Sequence, residues 1–291
     1  MIPIPQYPLY SASLTAFQGQ AVPYPLDEDT QWGLSVEGLK TSVETARAKG
    51  IDVRSLVVIN PGNPTGQCLS YDNIKEIVEF CAKERVILFA DEVYQTNVYD
   101  PARPFTSFKK VVCDTKSNVE LVSFHSVSKG MIGECGRRGG YFECHNIDEE
   151  IKGQLYKLAS ISLCPSVHGQ VMVDLMVNPP KKGDESFESY TKEVSDIYQS
   201  LKARSQKLVA GFNKMEGITC NQAQGAMYAF PQIRLSKKAV EAAKAAGKNP
   251  DVYYCLAMLD ATGVVSVAPP AHTQKKATSS FFFFFFFFFL S

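Results

Sequence analysis

Residues 56–66 read Leu56-Val57-Val58-Ile59-Asn60-Pro61-Gly62-Asn63-Pro64-Thr65-Gly66. Four consecutive apolar residues run straight into a loop with two prolines and two glycines. A strand with one wet face would alternate, whereas a continuous β-branched run marks a strand buried on both faces of a parallel sheet. The prolines stiffen the loop, the glycines let it turn, and Asn63 is offered as a fixed amide donor. Downstream, residues 71–84 place Ile74, Ile77, Val78 and Cys81 on one helical face. Residues 86–90 form a second buried run, ending in Asp91-Glu92. Residues 119–124 form a third, leading into Ser126-Val127-Ser128-Lys129-Gly130, and residues 139–144 resemble a further strand. Strand, helix, strand is the signature of an α/β fold with a mainly parallel sheet flanked by helices. Ligands of such sheets bind beyond the carboxyl ends of the strands. The polar clusters at 60–66, 91–94 and 126–129 all fall at those ends.

Residues 1–35 are rich in Pro and Tyr without a sustained period, and contain Trp32, the single Trp. Residues 36–49 read as a helix stopped by Gly50. Helical patterns follow at 147–160 and 166–176, then a break at 179–184. A long helix over 186–215 has the length to bridge two domains. Residues 218–230 read as strand–turn–strand around Gln224-Gly225, and 239–247 and 252–261 as helices. These divisions predict a large domain over 1–183, an interdomain helix with part of an α+β small domain over 184–263, and a separate tail over 264–291.

The 291 residues carry 30 Lys+Arg against 30 Asp+Glu, so no net field draws the chain to nucleic acid or anionic lipid. Their composition is 45% hydrophobic, which is globular. The eight Cys include no C-x-x-C pair, which argues against zinc ribbons and thioredoxin-like redox sites and for buried thiols in a reducing compartment; no metal site is expected. The N-terminus has no signal-peptide pattern and reads as the middle of a loop. No internal stretch reaches the roughly 20 apolar residues of a membrane helix. Nine of the 19 Phe lie in one run, Phe281 to Phe289. That run is uncharged and β-prone, an aggregation hazard if exposed. Its expected origin is out-of-frame or intron-derived translation of a pyrimidine-rich tract, with a genuine hydrophobic anchor as the alternative.

The three strand-end clusters suit a phosphorylated, electron-poor pyridine bearing an aldehyde. A lysine amine forms a Schiff base with the aldehyde. A carboxylate at the ring nitrogen keeps it protonated and makes the ring an electron sink. A tyrosine hydroxyl and an asparagine amide bind a phenolic oxygen, and serine and guanidinium groups suit the phosphate. Taken singly, the same residues are ordinary: a solvated lysine, a helix N-terminal acid pair at Asp91-Glu92, a turn at 63–66. His125 reads as a packing residue. Tyr10 reads equally as near the substrate or simply packed.

In order along the chain stand PIPQYPLYSA (3–12), LVVINPGNPTGQ (56–67), ADEVYQ (90–95) and SFHSVSKGMIGECGRRGGYFE (123–143). With these motifs, over roughly residues 1–264, the sequence resembles the fold-type I pyridoxal-phosphate aminotransferases, and among them the alanine aminotransferases. The resemblance implies pyridoxal 5'-phosphate as cofactor, held covalently by Lys129, which is also the catalytic proton carrier. It implies Asp91 at the pyridinium nitrogen, Tyr94 and Asn63 at the phenolic oxygen, and Tyr7 stacked on the ring. It places Ser126 and an arginine at the phosphate; Arg138 fits the R-x-G-Y pattern, and Arg137 fits the spacing from Lys129.

The implied reaction converts L-alanine and 2-oxoglutarate to pyruvate and L-glutamate, in a homodimer whose partners are otherwise small amino and 2-oxo acids. Glutamate–glyoxylate aminotransferase and carbon–sulfur lyase are the alternatives within the family; a non-catalytic fragment that binds the cofactor weakly is the alternative outside it. The implied location is cytoplasmic, or mitochondrial or peroxisomal. Family members carry a further segment before the PIPQYPLY motif. Beyond residue 263 they carry an arginine that grips the substrate carboxylate, whereas no Arg follows Arg234 here. The expectation is therefore a chain truncated at both ends, with little or no activity as written.

Overall fold

The computed structural model describes residues 1–268, with the backbone of 280–282 and 285–286. Short, proline-punctuated elements begin the chain: β1 (Ile2–Ile4), α1 (Leu9–Ala16) and β2 (Pro23–Pro25). Proline cannot donate to a ladder, so these strands stay short. β1 and β2 pair in parallel, and the Val57 N–H donates to the Met1 carbonyl, which lays this pair along the edge of the next strand.

α2 (Val36–Ala48) starts where Ser35 Oγ accepts from the Gly38 N–H, and buries Leu39, Val43 and Ala46. β3 (Ser55–Ile59), α3 (Tyr71–Glu84), β4 (Ile87–Asp91), α4 (Phe108–Thr115) and β5 (Leu121–Ser126) follow. β3, β4 and β5 run parallel, with Ile59 opposite Asp91 and Asp91 opposite Phe124. β6 (Gly140–His145) closes the four-stranded sheet antiparallel to β5. α3 turns Ile74, Ile77, Val78 and Cys81 inward, as its spacing predicts, against Leu56, Leu88, Phe108, Val111 and Leu121. Each of these side chains is essentially solvent-free. Burial of one such side chain contributes about 1.5–3 kcal/mol, which makes this cluster the support that fixes the strand ends.

The helices α5 (Glu149–Ile161), α6 (Val167–Val177) and α7 (Phe187–Phe212) come next. α7 buries Leu201, Val209 and Phe212 in a second core with Tyr94, Tyr99, Ala226, Met227 and Tyr228. The long helix thus joins the strand-end loops to the C-terminal region. That region contains β7 (Ile218–Thr219), β8 (Tyr228–Ala229), β9 (Gln232–Arg234), α8 (Lys237–Ala245) and α9 (Pro250–Thr262). Gly263 at φ +72° ends α9, as glycine at a helix C-terminus does.

Several boundaries differ from the sequence reading. β4 starts one residue later than residue 86, and β5 runs from Leu121 to Ser126 rather than 119–124. α1 and α4, each eight residues, are elements that the sequence reading does not include. The predicted strand–turn–strand over 218–230 is not a hairpin. β7 pairs with β9, while the Gln224-Gly225 turn docks on the 60–66 loop and on Asn97. Of the predicted tail, residues 269–279, 283–284 and 287–291 lie outside the described residues. Its two described pieces, β10 (Ser280–Phe282) and β11 (Phe285–Phe286), pair antiparallel with β9 and β8.

Candidate active site

The parallel register carries the end of β3 and the end of β4 to the same level. The Asn60 N–H donates to the Asp91 carbonyl at 2.9 Å, so the 60–66 loop leaves the sheet beside Asp91. Asn60 Oδ1 in turn accepts from the Leu69 N–H and closes the loop from below. Gly66, at φ +73°, lies where a Cβ would come within 3.3 Å of the Gly225 and Tyr228 carbonyls. Three chain segments therefore converge at the strand ends: the 60–66 loop, the 91–99 turn and the 224–228 turn.

Asp91 is buried. Its Oδ2 accepts from the Tyr10 hydroxyl at 2.6 Å, and its Oδ1 takes a long contact of 3.4 Å from the Val93 N–H. Burial raises its carboxyl above the ordinary range; Tyr10, Val93 and the Lys129 charge pull it back. Such a carboxylate has lone pairs to spare and gains from a cationic N–H partner. Tyr10 thus belongs to the site, holding Asp91. Burial, then the Asp91 charge, push the Tyr10 phenol far above its usual range, so it remains a donor.

Lys129 sits on the turn after β5. The Ser128 N–H donates to Ser126 Oγ, the Val127 N–H to the Gly139 carbonyl, and Gly130 packs at φ +67° against Thr96. This packing carries Lys129 Nζ to 5.9 Å from the centre of the Tyr94 ring, within cation–π range. Tyr94 is buried and its hydroxyl meets that of Tyr228. Tyr7 is 42% exposed, and its hydroxyl lies close enough to Tyr10, Tyr94 and Tyr228 to bear on their ionisation. Asn63 is buried, with Oδ1 unpartnered in the structure.

Lys129, Asp91, Tyr94 and Tyr7 are therefore one cluster, with Ser126 three residues from Lys129 on the same turn and Asn63 on the adjoining loop. Arg137 and Arg138 lie on the segment just before β6, whose Gly140 stands opposite Ser126. Arg137 pairs loosely with Glu134 at 3.8 Å, and Arg138 Nη1 donates to the Cys135 carbonyl at 3.0 Å. Arg138 also borders a cavity of about 310 Å³ between Gly139, Ser166, Gln170 and Asp174. Tyr228 is a member that sequence reading missed, since it is 134 residues from Tyr94 and lies in an unremarkable apolar run. No group of His, Cys, Asp and Glu that could hold a metal occurs among the described residues.

A lysine, a buried carboxylate and phenols thus meet at the strand ends of an α/β sheet, where ligands of such sheets bind. The sequence profile of aminotransferase class I and II matches residues 1–276, and the chain belongs to that family. The match takes in part of the stretch beyond Val264.

A probable mitochondrial alanine aminotransferase from Dictyostelium discoideum is 54% identical over 279 residues, covering 94% of this chain and 52% of that protein. Glutamate–glyoxylate aminotransferase 2 from Arabidopsis thaliana is 51% identical over 280 residues, covering 95% of this chain and 58% of that protein. Among solved structures, alanine aminotransferase from Pyrococcus furiosus superposes with TM-score 0.78 at 22% identity. That superposition covers 98% of this chain and 65% of the other, and shares the fold. The chain spans about half the length of the curated relatives it matches.

Proposed function

We propose that this chain carries the cofactor-holding core of a pyridoxal 5'-phosphate-dependent transaminase acting between L-alanine and 2-oxoglutarate. The observation that carries this reading is Lys129 Nζ lying over the Tyr94 ring, with Asp91 buried at the neighbouring strand end. The residues fit the group: Asp91 has unfilled acceptor capacity that suits a cationic N–H partner, and buried Asn63 stands on the adjoining loop with its Oδ1 unpartnered, its Nδ2 being the end that would donate to an oxygen.

Lys129 would attach the cofactor, Asp91 would hold its ring nitrogen, and Tyr94 and Asn63 its phenolic oxygen. Tyr7 would cover the ring face, and Ser126 the phosphate with Arg138 or Arg137. When bound, pyridoxal phosphate supplies an electron sink conjugated to the substrate Cα. The Lys129 amine would be the base that takes a proton from the substrate Cα and holds it for return. Asp91, whose burial is offset by the Tyr10 hydroxyl and the Val93 N–H, would be the acceptor for the ring nitrogen.

A second reading has a specific support: two Arabidopsis glutamate–glyoxylate aminotransferases match at 51% and 52% identity, on a par with the alanine enzymes. Glutamate with glyoxylate is therefore the alternative substrate pair. The names of the Dictyostelium relative and of two Arabidopsis alanine aminotransferases support a mitochondrial location. A second copy of the chain is the proposed partner. No helix among the described residues is long and apolar enough to cross a membrane.

The purified chain mixed with pyridoxal phosphate is expected to develop a visible absorbance band that survives gel filtration. Lys129→Ala should lose the band while keeping its far-ultraviolet circular dichroism. A parent chain without a band, or a band unchanged in Lys129→Ala, would overturn the reading.

A further inference from the structure

We propose that Tyr228 is a positioning residue for the reaction: its hydroxyl donates to the Tyr94 hydroxyl and aims the Tyr94 proton at the phenolic oxygen of the bound cofactor. This inference rests on the cofactor reading above and deepens it.

The two hydroxyls are in hydrogen-bond contact, and the rings meet edge to face at 5.5 Å and 85°. Both side chains are about 1–2% exposed, so no water competes for that contact. Each phenol has one proton. If Tyr94 donated to Tyr228, its proton would point away from Lys129 and its oxygen would face the site as an acceptor. If Tyr228 donates, the Tyr94 oxygen is satisfied as an acceptor and its own proton is free for an oxyanion.

Neither phenol ionises near neutrality. Burial and the facing tyrosine push Tyr94 far above its ordinary range, and burial brings Tyr228 up to about 12. The pair is therefore O–H to O–H, and its direction is set by where negative charge lies. An oxyanion beyond Tyr94 selects Tyr228 as donor, and a chain of two such bonds strengthens each member.

The fold holds Tyr228 to this task. The Ala226 N–H donates to the Asn97 carbonyl at 2.9 Å, and the Tyr99 hydroxyl donates to the Ala226 carbonyl at 2.7 Å. Gly66 packs against the Tyr228 carbonyl with no space for a Cβ that left both in place. Met227 and Ala229 on either side are buried in the core shared with α7. The ring consequently has no open side into which to swing.

The test is the pH titration of the absorbance band of the chain loaded with pyridoxal phosphate. Tyr228→Phe removes one oxygen. It should keep the band and raise its titration midpoint by about half to one pH unit, the equivalent of one net hydrogen bond. Tyr94→Phe should raise it further, and the double variant no further than Tyr94→Phe alone. Replacing Tyr228 with 3-fluorotyrosine, a stronger donor of nearly the same size, should move the midpoint down. That variant decides the matter if Tyr228→Phe fails to fold. An unchanged midpoint in both Tyr228 variants, or equal shifts with and without the Tyr94 hydroxyl, would overturn the inference and leave the cofactor reading standing. A parent chain with no band removes both.

Discussion

Glu92 shows how the sheet's end treats two adjacent acids differently. Asp91 faces Tyr10, whereas Glu92 Oε1 accepts from the Phe108 N–H at 2.7 Å and so ties the start of α4 to the end of β4. Burial raises its carboxyl to about 7. Because the folded value lies above the unfolded one, its contribution to stability is fully present below the unfolded pKa and fades as pH rises toward 7. At about 1.36 kcal/mol per unit, the loss amounts to roughly 3 kcal/mol once both states are ionised. Glu92→Gln keeps the acceptor and removes the charge. Denaturant unfolding between about pH 4.5 and pH 7.5 should show the variant gaining on the parent by about that amount. A constant difference across that window would mean that Glu92 ionises in place without cost. Burial shifts Asp91 in the same direction, with Tyr10, Val93 and Lys129 pulling it back.

The 224–225 turn is where the C-terminal segment locks onto the sheet. Gly225 donates to the Gly66 carbonyl at 2.8 Å, and a Cβ on it would stand 2.7 Å from the Asn97 carbonyl oxygen and 2.9 Å from Pro61 Cβ. Backbone cannot yield as a long side chain can. Gly225→Ala is therefore expected to cost about 1–3 kcal/mol and to lower cofactor retention. Gly136→Ala, with nothing within 4 Å, is the control that should change neither. Thermal unfolding and the absorbance band together check both variants; equal behaviour would show that the turn is not tightly docked.

This turn also marks how far the sequence could be read. Residues 71–84 advertised α3 because four apolar residues repeat at helical spacing, and β3 was plain from its continuous run. Eight-residue α4 places Phe108, Val111 and Val112 at helical spacing behind a Ser107 cap, but over barely two turns, too short a stretch to stand out. Residues 218–230 read as a hairpin because strand residues flank a glycine, yet their partners are β9, Asn97 and Gly66, which no local pattern can name. The site followed the same rule. Lys129, Asp91, Tyr94 and Asn63 were legible as strand-end residues, while the Tyr94–Tyr228 contact exists only after α7 has carried the chain back.

Charge neutrality and an ordinary apolar fraction hide an uneven surface. α5 and the connection to α6 leave Tyr156, Ile161 and Leu163 77%, 75% and 83% exposed, with Leu158, Val167 and Val171 near them in sequence and also open. Strand β6, which α6 contacts, adds half-open Tyr141 and Phe142, and on its outer edge no described strand pairs with it. Single exposed apolar residues are normal, but a run of them along two helices and a strand marks an interaction surface. A second copy of the chain is the occupant that the family reading implies. The purified chain should therefore sediment as a dimer at micromolar concentration and brighten a hydrophobic dye when diluted. Replacing Tyr156, Leu158 and Ile161 together with Gln should shift it toward monomer. These side chains are exposed and outside the core, so the unfolding midpoint of the monomer should move by less than about 0.5 kcal/mol per site. Open-ended aggregates rather than a dimer would point instead to the uncharged Phe281–Phe289 run, and removal of residues 280–291 would then restore a defined species. A parent chain that is monomeric and does not brighten the dye would exclude this face as an interface.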